Sequence, residues 1–515
     1  MKLHSNILKL ALFATGLSGI VAEYVLSTLA TYFLGDSVFQ WTMIVSIMLF
    51  SMGLGSRISK YFSKNLLQKF ILIEFVLSIL TAYVSVITYS ASAYYGSSYF
   101  IIYSLCIIIG LLIGMEIPIV IRLNDQFETL HVNVSSVMEN DYYGSLVGGV
   151  FFAFIGLPYL GLTYTPFILG SINFLVAIGL YIVLKSALEP RQKIRINILS
   201  IGVLSLLVGG FLFAQPIISY GEEKRYRDQV VYEEQSKYQK IIITQSKEDF
   251  WLFINGNQQL SSIDEVMYHE PLVHPVMRLS KNPKDVLVMG GGDGGAVREI
   301  LKYESVENIT LVDLDPAMTS LGQNHELLVE MNQNSMNHEK LTIINADGYN
   351  YLEDNNNYYD AIIIDLPDPK SIEIGRLYSY EFYKLCHKRL RPHGLVITQA
   401  GSPYYAAKAF NCIDKTMREA GFATVPLHNQ VITLGEWGWI FGAKDGNSEK
   451  LTRALKSLDF ENPKIETRWI NHDAMTLVTS FGKTLFEDDT IGIEINKIHN
   501  PVLYKYYLDG KWEFY

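Results

Sequence analysis

The chain has 515 residues, 49% of them hydrophobic and 18% charged, with a formal net charge of -10 at pH 7. One hydrophobic core rarely grows to that length, so more than one domain is expected. The acid excess argues against a nucleic-acid partner, because phosphate binding needs clustered Lys and Arg, and it favours cationic ligands. Cys106, Cys386 and Cys412 are spaced too widely for a disulfide framework, a metal motif or a redox pair.

Taken in chain order, long apolar runs dominate up to about residue 216, and charged residues become frequent beyond it. Stretches near residues 7–33, 38–56, 68–89, 99–121, 142–163, 166–184 and 196–215 approach the ~20 residues that cross a bilayer as a helix. The first precedes further spans and lacks a small-residue cleavage site, so it reads as a spanning helix and not a signal peptide. Glu23 and Glu116 lie inside two of these stretches. A charge at membrane depth is costly, so each is either functional or neutralised inside the bundle. Gly53 with Gly55, Gly110 with Gly114, and Gly144 with Gly148 suit close helix packing.

Arg57, Lys60 and Lys64 form one basic loop and Lys185, Arg191, Lys193 and Arg195 another, which puts both loops and the N-terminus in the cytoplasm. Seven spans would leave the rest of the chain outside. The chemistry read below favours the cytoplasmic face instead. The expected organisation is a multi-pass transmembrane domain over 1–217, a small β region over 229–280, an α/β domain over 281–445 and a C-terminal extension over 446–515.

The soluble part opens with "KIIITQS", "FWLFING" and "NQQLSS", short antiparallel elements with a turn at Asn255-Gly256. A helix over "DEVMYHEPLVHPVM" follows. Then strands "DVLVMG", "NITLVDLD", "LTIINAD", "YDAIIIDLPDP" and "GLVITQA" alternate with helices, including one from about 316 to 330 and one near 379–391. That alternation indicates a parallel, doubly wound α/β sheet, whose ligands sit beyond the carboxyl ends of its strands.

Acids stand at those ends. Asp293 follows the first strand, Asp313 ends the second, Asp347 the third, and Asp365 with Asp368 the fourth. Any one alone reads as a turn or cap residue; four consecutive strand ends do not. Asp313 falls about twenty positions after the glycine loop, where a ribose-binding acid belongs. The loop "GGGDGG" at 290–295 departs from G-x-G-x-x-G, and Asp293 would repel a phosphate. An adenosyl sulfonium suits it better than a dinucleotide.

These segments resemble the spermidine synthase (polyamine aminopropyltransferase) family. "GGGDGG" resembles its glycine loop, "VDLD" at 312–315 its ribose-binding acid, and "ADG" at 346–348 its adenine-contacting Asp-Gly. "DLPDP" at 365–369 resembles its catalytic D-x-x-D-P, and "DEVMYHE" at 264–270 its Y-x-E substrate segment. "SGIVAEYVLS", "GLGSR", "GMEIPIVIRL" and "IEINKIHNPVLYKYYLDGKW" are similar to recurring segments of the membrane-anchored branch.

The resemblance implies an all-α transmembrane bundle followed by a small antiparallel β region and a Rossmann-like, methyltransferase-type domain. It implies that Asp365 is the proton acceptor and that Asp368, Asp293 and His269 line the polyamine side. It places Asp313 on the ribose, Asp347 and Gly348 on the adenine, and Gln239, Gly290 and Gly292 on the nucleoside. The implied reaction moves an aminopropyl group from decarboxylated S-adenosylmethionine to a polyamine, putrescine first, giving spermidine and methylthioadenosine without cofactor or metal. The partners are then these small molecules and the lipid bilayer; a homodimer stays open. Two departures bear on the amine acceptor: Ile372 stands where the family has a proline, and Leu434 where it commonly has a tyrosine. The alternatives are a methyltransferase, whose donor carboxylate Asp293 would repel, and a non-catalytic polyamine carrier or sensor.

Overall fold

The computed structural model describes residues 2–34, 37–95, 98–460, 465–482 and 492–512. The chain divides into two compact units, Met1–Val230 and Val231–Tyr515.

The first unit is helical: α1 (Lys2–Leu34), α2 (Ser37–Ser59), α3 (Leu66–Tyr95), α4 (Tyr99–Asn124), α5 (Leu130–Phe151), α6 (Gly161–Leu184) and α7 (Pro190–Arg225). Among the described residues, six helical runs are long and apolar enough to cross a membrane. One of them, Leu130–Ala187, is 58 residues long and contains both α5 and α6. As one straight helix it would measure roughly 90 Å, about three times the hydrocarbon thickness of a bilayer. It is interrupted by a π-helical segment, Phe152–Leu160, and by Gly161 at φ +62°. The break therefore falls a few residues before the boundary expected between 163 and 166.

Glycines set how closely the helices approach. A Cβ on Gly144 would lie 1.9 Å from the Phe13 carbonyl oxygen, one on Gly114 2.0 Å from that of Met52, and one on Gly55 2.1 Å from that of Leu111. Gly53 faces open space, so of the six glycines expected to pack it alone has no such role. The carboxylate inventory also needs correction, since Glu74 on α3 lies within the third apolar stretch and is fully buried.

In the second unit, β1 (Gln229–Gln235), β2 (Lys240–Ser246), β3 (Asp249–Ile254) and β4 (Asn257–Ser261) form a four-stranded sheet in that order. Asn255 and Gly256 both adopt positive φ, which gives the two-residue hairpin its twist. Helix α8 (Val266–Leu279) leads into the large sheet. Its strands are β5 (Asp285–Gly290), β6 (Asn308–Asp313), β7 (Leu341–Asn345), β8 (Tyr359–Asp365), β9 (Leu390–Gly401), β10 (Ala423–Val431) and β11 (Gly435–Ala443), ordered β10-β11-β9-β8-β5-β6-β7. The five strands from β9 to β7 are parallel, as the alternation predicts.

The antiparallel edge formed by β10 and β11 was not expected. Only three residues separate the two strands, too few for the crossover that a parallel pair requires. The helix expected over 316–330 is two, Pro316–Asn324 and Glu326–Asn332, divided at His325 in extended conformation. Alternation along β5 feeds both faces: Val286 and Val288 enter one apolar cluster, Leu287 and Met289 the other. The order reverses between β8, β5 and β6, so the crevice opens where the acids cluster.

Replacing Gly144 by Val should lower the stability of the detergent-solubilised chain by about 2 kcal/mol or more, the scale of overpacking. Gly53→Val should change it by less than about 0.5 kcal/mol, as surface replacements do. Thermal unfolding of the two variants measures the contrast.

Candidate active site

The loop after β5 brings two acids together because it lacks side chains at the critical points. Gly290 adopts φ +80°, and a Cβ there would lie 2.1 Å from the Asp365 carbonyl oxygen. A Cβ on Gly292 would lie 2.9 Å from Asp313 Oδ2. The loop thus threads between the ends of β8 and β6, with Asp365 on one side and Asp313 on the other. Gly295 opens helix α9 (Gly295–Leu301), and a Cβ there would strike the His269 ring.

Asp293 performs a turn role and also faces the site. Its Oδ1 accepts the Gly295 N–H at 2.8 Å and lies 3.5 Å from His269 Nε2. His269, Asp293 and Asp365 each present an atom within 4.8 Å of the others. Asp365 Oδ1 accepts the Tyr268 hydroxyl at 2.6 Å. Burial, and then the charge of Asp293, push Asp365 up to about 6 against the opposing pull of His269 and Tyr268.

His269 carries the counter-charge. Burial alone would lower it, but the Glu265 hydrogen bond and the charges of Asp293, Glu265 and Asp365 raise it to about 9. Its Nδ1 is 2.8 Å from Glu265 Oε2. Burial pushes Glu265 up; His269 and the bidentate Arg298 guanidinium more than offset this and hold it down at about 2. Arg298 reaches on to Glu299, and Glu299 to His274 and Lys302. Glu270, in the same motif, accepts the backbone N–H groups of Arg468, Trp469 and Ile470, an anchoring role for the later chain. Glu270, His274 and Glu299 could also be grouped as metal ligands, yet each is occupied by these hydrogen bonds.

On the opposite side, Asp313 Oδ1 accepts the Asp315 N–H at 2.9 Å, and burial pushes Asp313 up to about 6. Ser236 donates to Asp315 Oδ2 at 2.7 Å and to the Gln239 carbonyl at 3.0 Å. Gln239 therefore sits in the turn that docks two residues beyond Asp313. Asp347 caps the helix Gly348–Asp354 through the Asn350 N–H at 3.0 Å and pairs with Arg376. A Cβ on Gly348 would meet the Met289 side chain at 2.6 Å.

A cavity of about 490 Å³ lies beside Asp347, lined by Leu314, Ile372, Leu377 and Asn496 among others. Ile372 thus shares a cavity with the acid expected on the adenine and with the neighbour of the ribose acid. Ile372, one of the two departures from the family pattern, therefore lies beside Asp347. Leu434 belongs to the apolar cluster on which Tyr268 packs, next to Thr433, which binds Asp264.

Two phenols of the site were not singled out from the sequence. Tyr268 lies inside a recognised motif, where spacing alone does not tell which residue points at Asp365. Tyr507 lies in the C-terminal helix Leu503–Leu508 and donates to Asp368 Oδ2 at 2.6 Å, more than a hundred residues away in sequence. Lys370 Nζ lies 3.8 Å from the same oxygen, and Asp368 Oδ1 is buried without a hydrogen-bond partner among the described residues. Asn496 ties this segment down by donating to the Gly375 and Tyr378 carbonyls at 2.8 and 3.2 Å.

The spermine/spermidine synthase domain profile matches residues 265–454. The polyamine aminopropyltransferase of Oceanobacillus iheyensis is 37% identical over 504 residues, covering 96% of both chains. The chain belongs to the polyamine aminopropyltransferase family. Polyamine aminopropyltransferase 2 of Aquifex aeolicus is 38% identical over 506 residues, covering 98% of both chains. A crystal structure of spermidine synthase in complex with the transition-state analogue AdoDATO aligns with 51% of this chain and 88% of that one, at 27% identity and a TM-score of 0.46. The chain is accordingly an aminopropyltransferase acting on polyamines, and the family's donor is decarboxylated S-adenosylmethionine.

His269 should titrate near 9 by NMR of its ring, and Glu265→Gln should lower that value by about one unit or more through loss of the paired charge. Because the folded value is raised, the stability it contributes is complete below the ordinary 6.5 and is lost as pH rises through about 9. Tyr507→Phe keeps the ring against Trp512 and removes the Asp368 hydrogen bond. It should raise the acceptor KM roughly tenfold, the scale of a charge-assisted bond, and leave the donor KM unchanged.

Proposed function

We propose that the acceptor is putrescine and that Asp365 takes the proton from its attacking nitrogen, giving spermidine and methylthioadenosine. The observation that carries this reading is the placement of the glycine loop between Asp365 and Asp313. One nucleoside held at Asp313, with its base in the cavity beside Asp347 and Gly348, would present its sulfonium side to Asp293 and Asp365. Gln239 supports the nucleoside from the docked turn. Asp368, with Tyr507, holds the far ammonium of the diamine.

The proton balance favours a raised carboxylate. An alkylammonium resembles lysine, with a pKa near 10.4. Transfer to an ordinary carboxylate near 3.9 would be uphill by about 9 kcal/mol. At about 6, Asp365 reduces that by on the order of 3 kcal/mol. Tyr268 orients the accepting oxygen, and His269 limits the repulsion between Asp293 and Asp365 while the site is empty. In-line placement of nitrogen, carbon and sulfur lowers the barrier further.

We also infer that the apolar helices span a membrane and that the catalytic unit faces the cytoplasm. The basic-loop count over seven helices pulls toward the other face. The donor, a cytoplasmic metabolite, is what supports the cytoplasmic face.

Incubation of the purified protein with the decarboxylated donor and a panel of diamines, read by mass, should give most product with putrescine; no product with any amine contradicts the reading. Asp365→Asn should lower kcat by about 10²–10⁴-fold, the range of general-base losses. The wild-type rate should fall as pH drops through about 6, where Asp365 gains its proton. Tyr268→Phe should move that acidic limb upward, since the phenol hydrogen bond holds the carboxylate down. For the membrane face, the three native cysteines are buried, so Asp354→Cys supplies an exposed thiol. An impermeant maleimide should label it only after the cells are opened.

A further inference from the structure

The two oxygens of Asp368 stand in different states. Oδ2 accepts the Tyr507 hydroxyl at 2.6 Å and lies 3.8 Å from Lys370 Nζ. Oδ1 is buried and has no hydrogen-bond partner among the described residues. Gly401, at φ +70°, lies beside it, and even an added Cβ there would stay 3.9 Å from that oxygen. One oxygen is spent, and the other is open to a donor.

Lys370, two residues past Asp368, is a cation of the chain's own at this acid. Its ammonium donates to Asn257 Oδ1 at 2.8 Å, at the start of β4. It also stands 5.7 Å from the centre of the Tyr507 ring, within the range of a cation–π contact. At 3.8 Å from Asp368 it makes an ion pair and not a hydrogen bond, so it adds charge without closing the open oxygen. The Asp368 side chain is 13% exposed, that of Lys370 35%, and Asn257 is exposed. The lysine thus lies nearer the surface than the acid and is tied to the small sheet there.

Amines of the lysine type are ammonium ions at neutral pH, so each nitrogen of a polyamine brings a positive charge. Putrescine brings one far ammonium, which the open Asp368 oxygen can take. Spermidine is one aminopropyl unit longer and carries one charge more. We propose that Lys370 limits acceptor length: an amine that reaches past Asp368 must bring its extra ammonium up to the lysine, and like charges reject it. A repulsive group of this kind gives selectivity against the longer ligand without a new contact to the shorter one. Transfer then stops after one addition, because the product is a poor acceptor. This inference rests on the proposed role of Asp368 in holding the far ammonium.

The test uses the full-length protein with the decarboxylated donor and either putrescine or spermidine, with products read by mass. Lys370→Gln should raise the spermidine-to-putrescine ratio of kcat/KM by about tenfold or more, carried by a lower spermidine KM. Lys370→Arg keeps the charge and should hold the ratio within about threefold of the wild type. Asn257→Ala removes the tether but keeps the ammonium, and should shift the ratio less than Lys370→Gln does. An unchanged ratio in Lys370→Gln would overturn the proposal, as would an equal shift in Lys370→Arg, which points to a structural role. Asp368→Asn separates the two levels of the argument. If it raises the putrescine KM while Lys370→Gln leaves the ratio unchanged, the length limit alone is wrong. If it leaves both KM values unchanged, the role of Asp368 is wrong and the limit falls with it.

Discussion

Everything in the catalytic unit follows from crowding several carboxylates at the ends of adjacent parallel strands. Two unit charges about 4.8 Å apart repel by on the order of 3 kcal/mol at the effective dielectric of a protein site. The empty pocket meets that cost in two ways. Asp365 and Asp313 have raised proton affinities, and His269 is held as a cation by Glu265, which is in turn held by Arg298. A positively charged donor and a positively charged acceptor relieve the same repulsion on binding. Affinity for cations and reluctance to bind phosphates or carboxylates are then one property.

The glycine loop makes the crowding geometrically attainable. Any side chain at Gly290 would collide with the β8 terminus, and one at Gly292 with the Asp313 carboxylate. The unusual acid in the loop is compatible with folding because Asp293 spends one oxygen on the Gly295 N–H. The same oxygen lies 3.5 Å from His269 Nε2. A turn role does not exclude the proposed site role for the same side chain, so the two readings posed by the sequence are compatible. Asp347 shows the same duality as a helix cap beside the cavity.

Much of this was legible in sequence because it is local. The parallel strands, the strand-end acids and the Asn255-Gly256 hairpin each depend on a few neighbouring residues. What sequence did not disclose depends on contacts between distant segments. Tyr507 reaches Asp368 across more than a hundred residues, and the apolar β11 shows no alternation that would mark an antiparallel edge. Ile372 stands out in sequence only as a departure from the family pattern, and the fold is needed to place it in the cavity beside Asp347. In the helical unit, Glu74 is not marked out beside Glu23 and Glu116, and only the packing of α1 against α3 brings it to the Thr15 hydroxyl.

The central claim, that the pocket is an acidic site kept partly protonated until cations arrive, is tested most directly by carboxyl-carbon NMR of Asp365. Titrated in the free protein and again with a sulfonium donor analogue bound, its pKa should lie near 6 when free and fall when the cation is bound. An ordinary carboxylate value in the free protein, or no response to the sulfonium, would contradict the account.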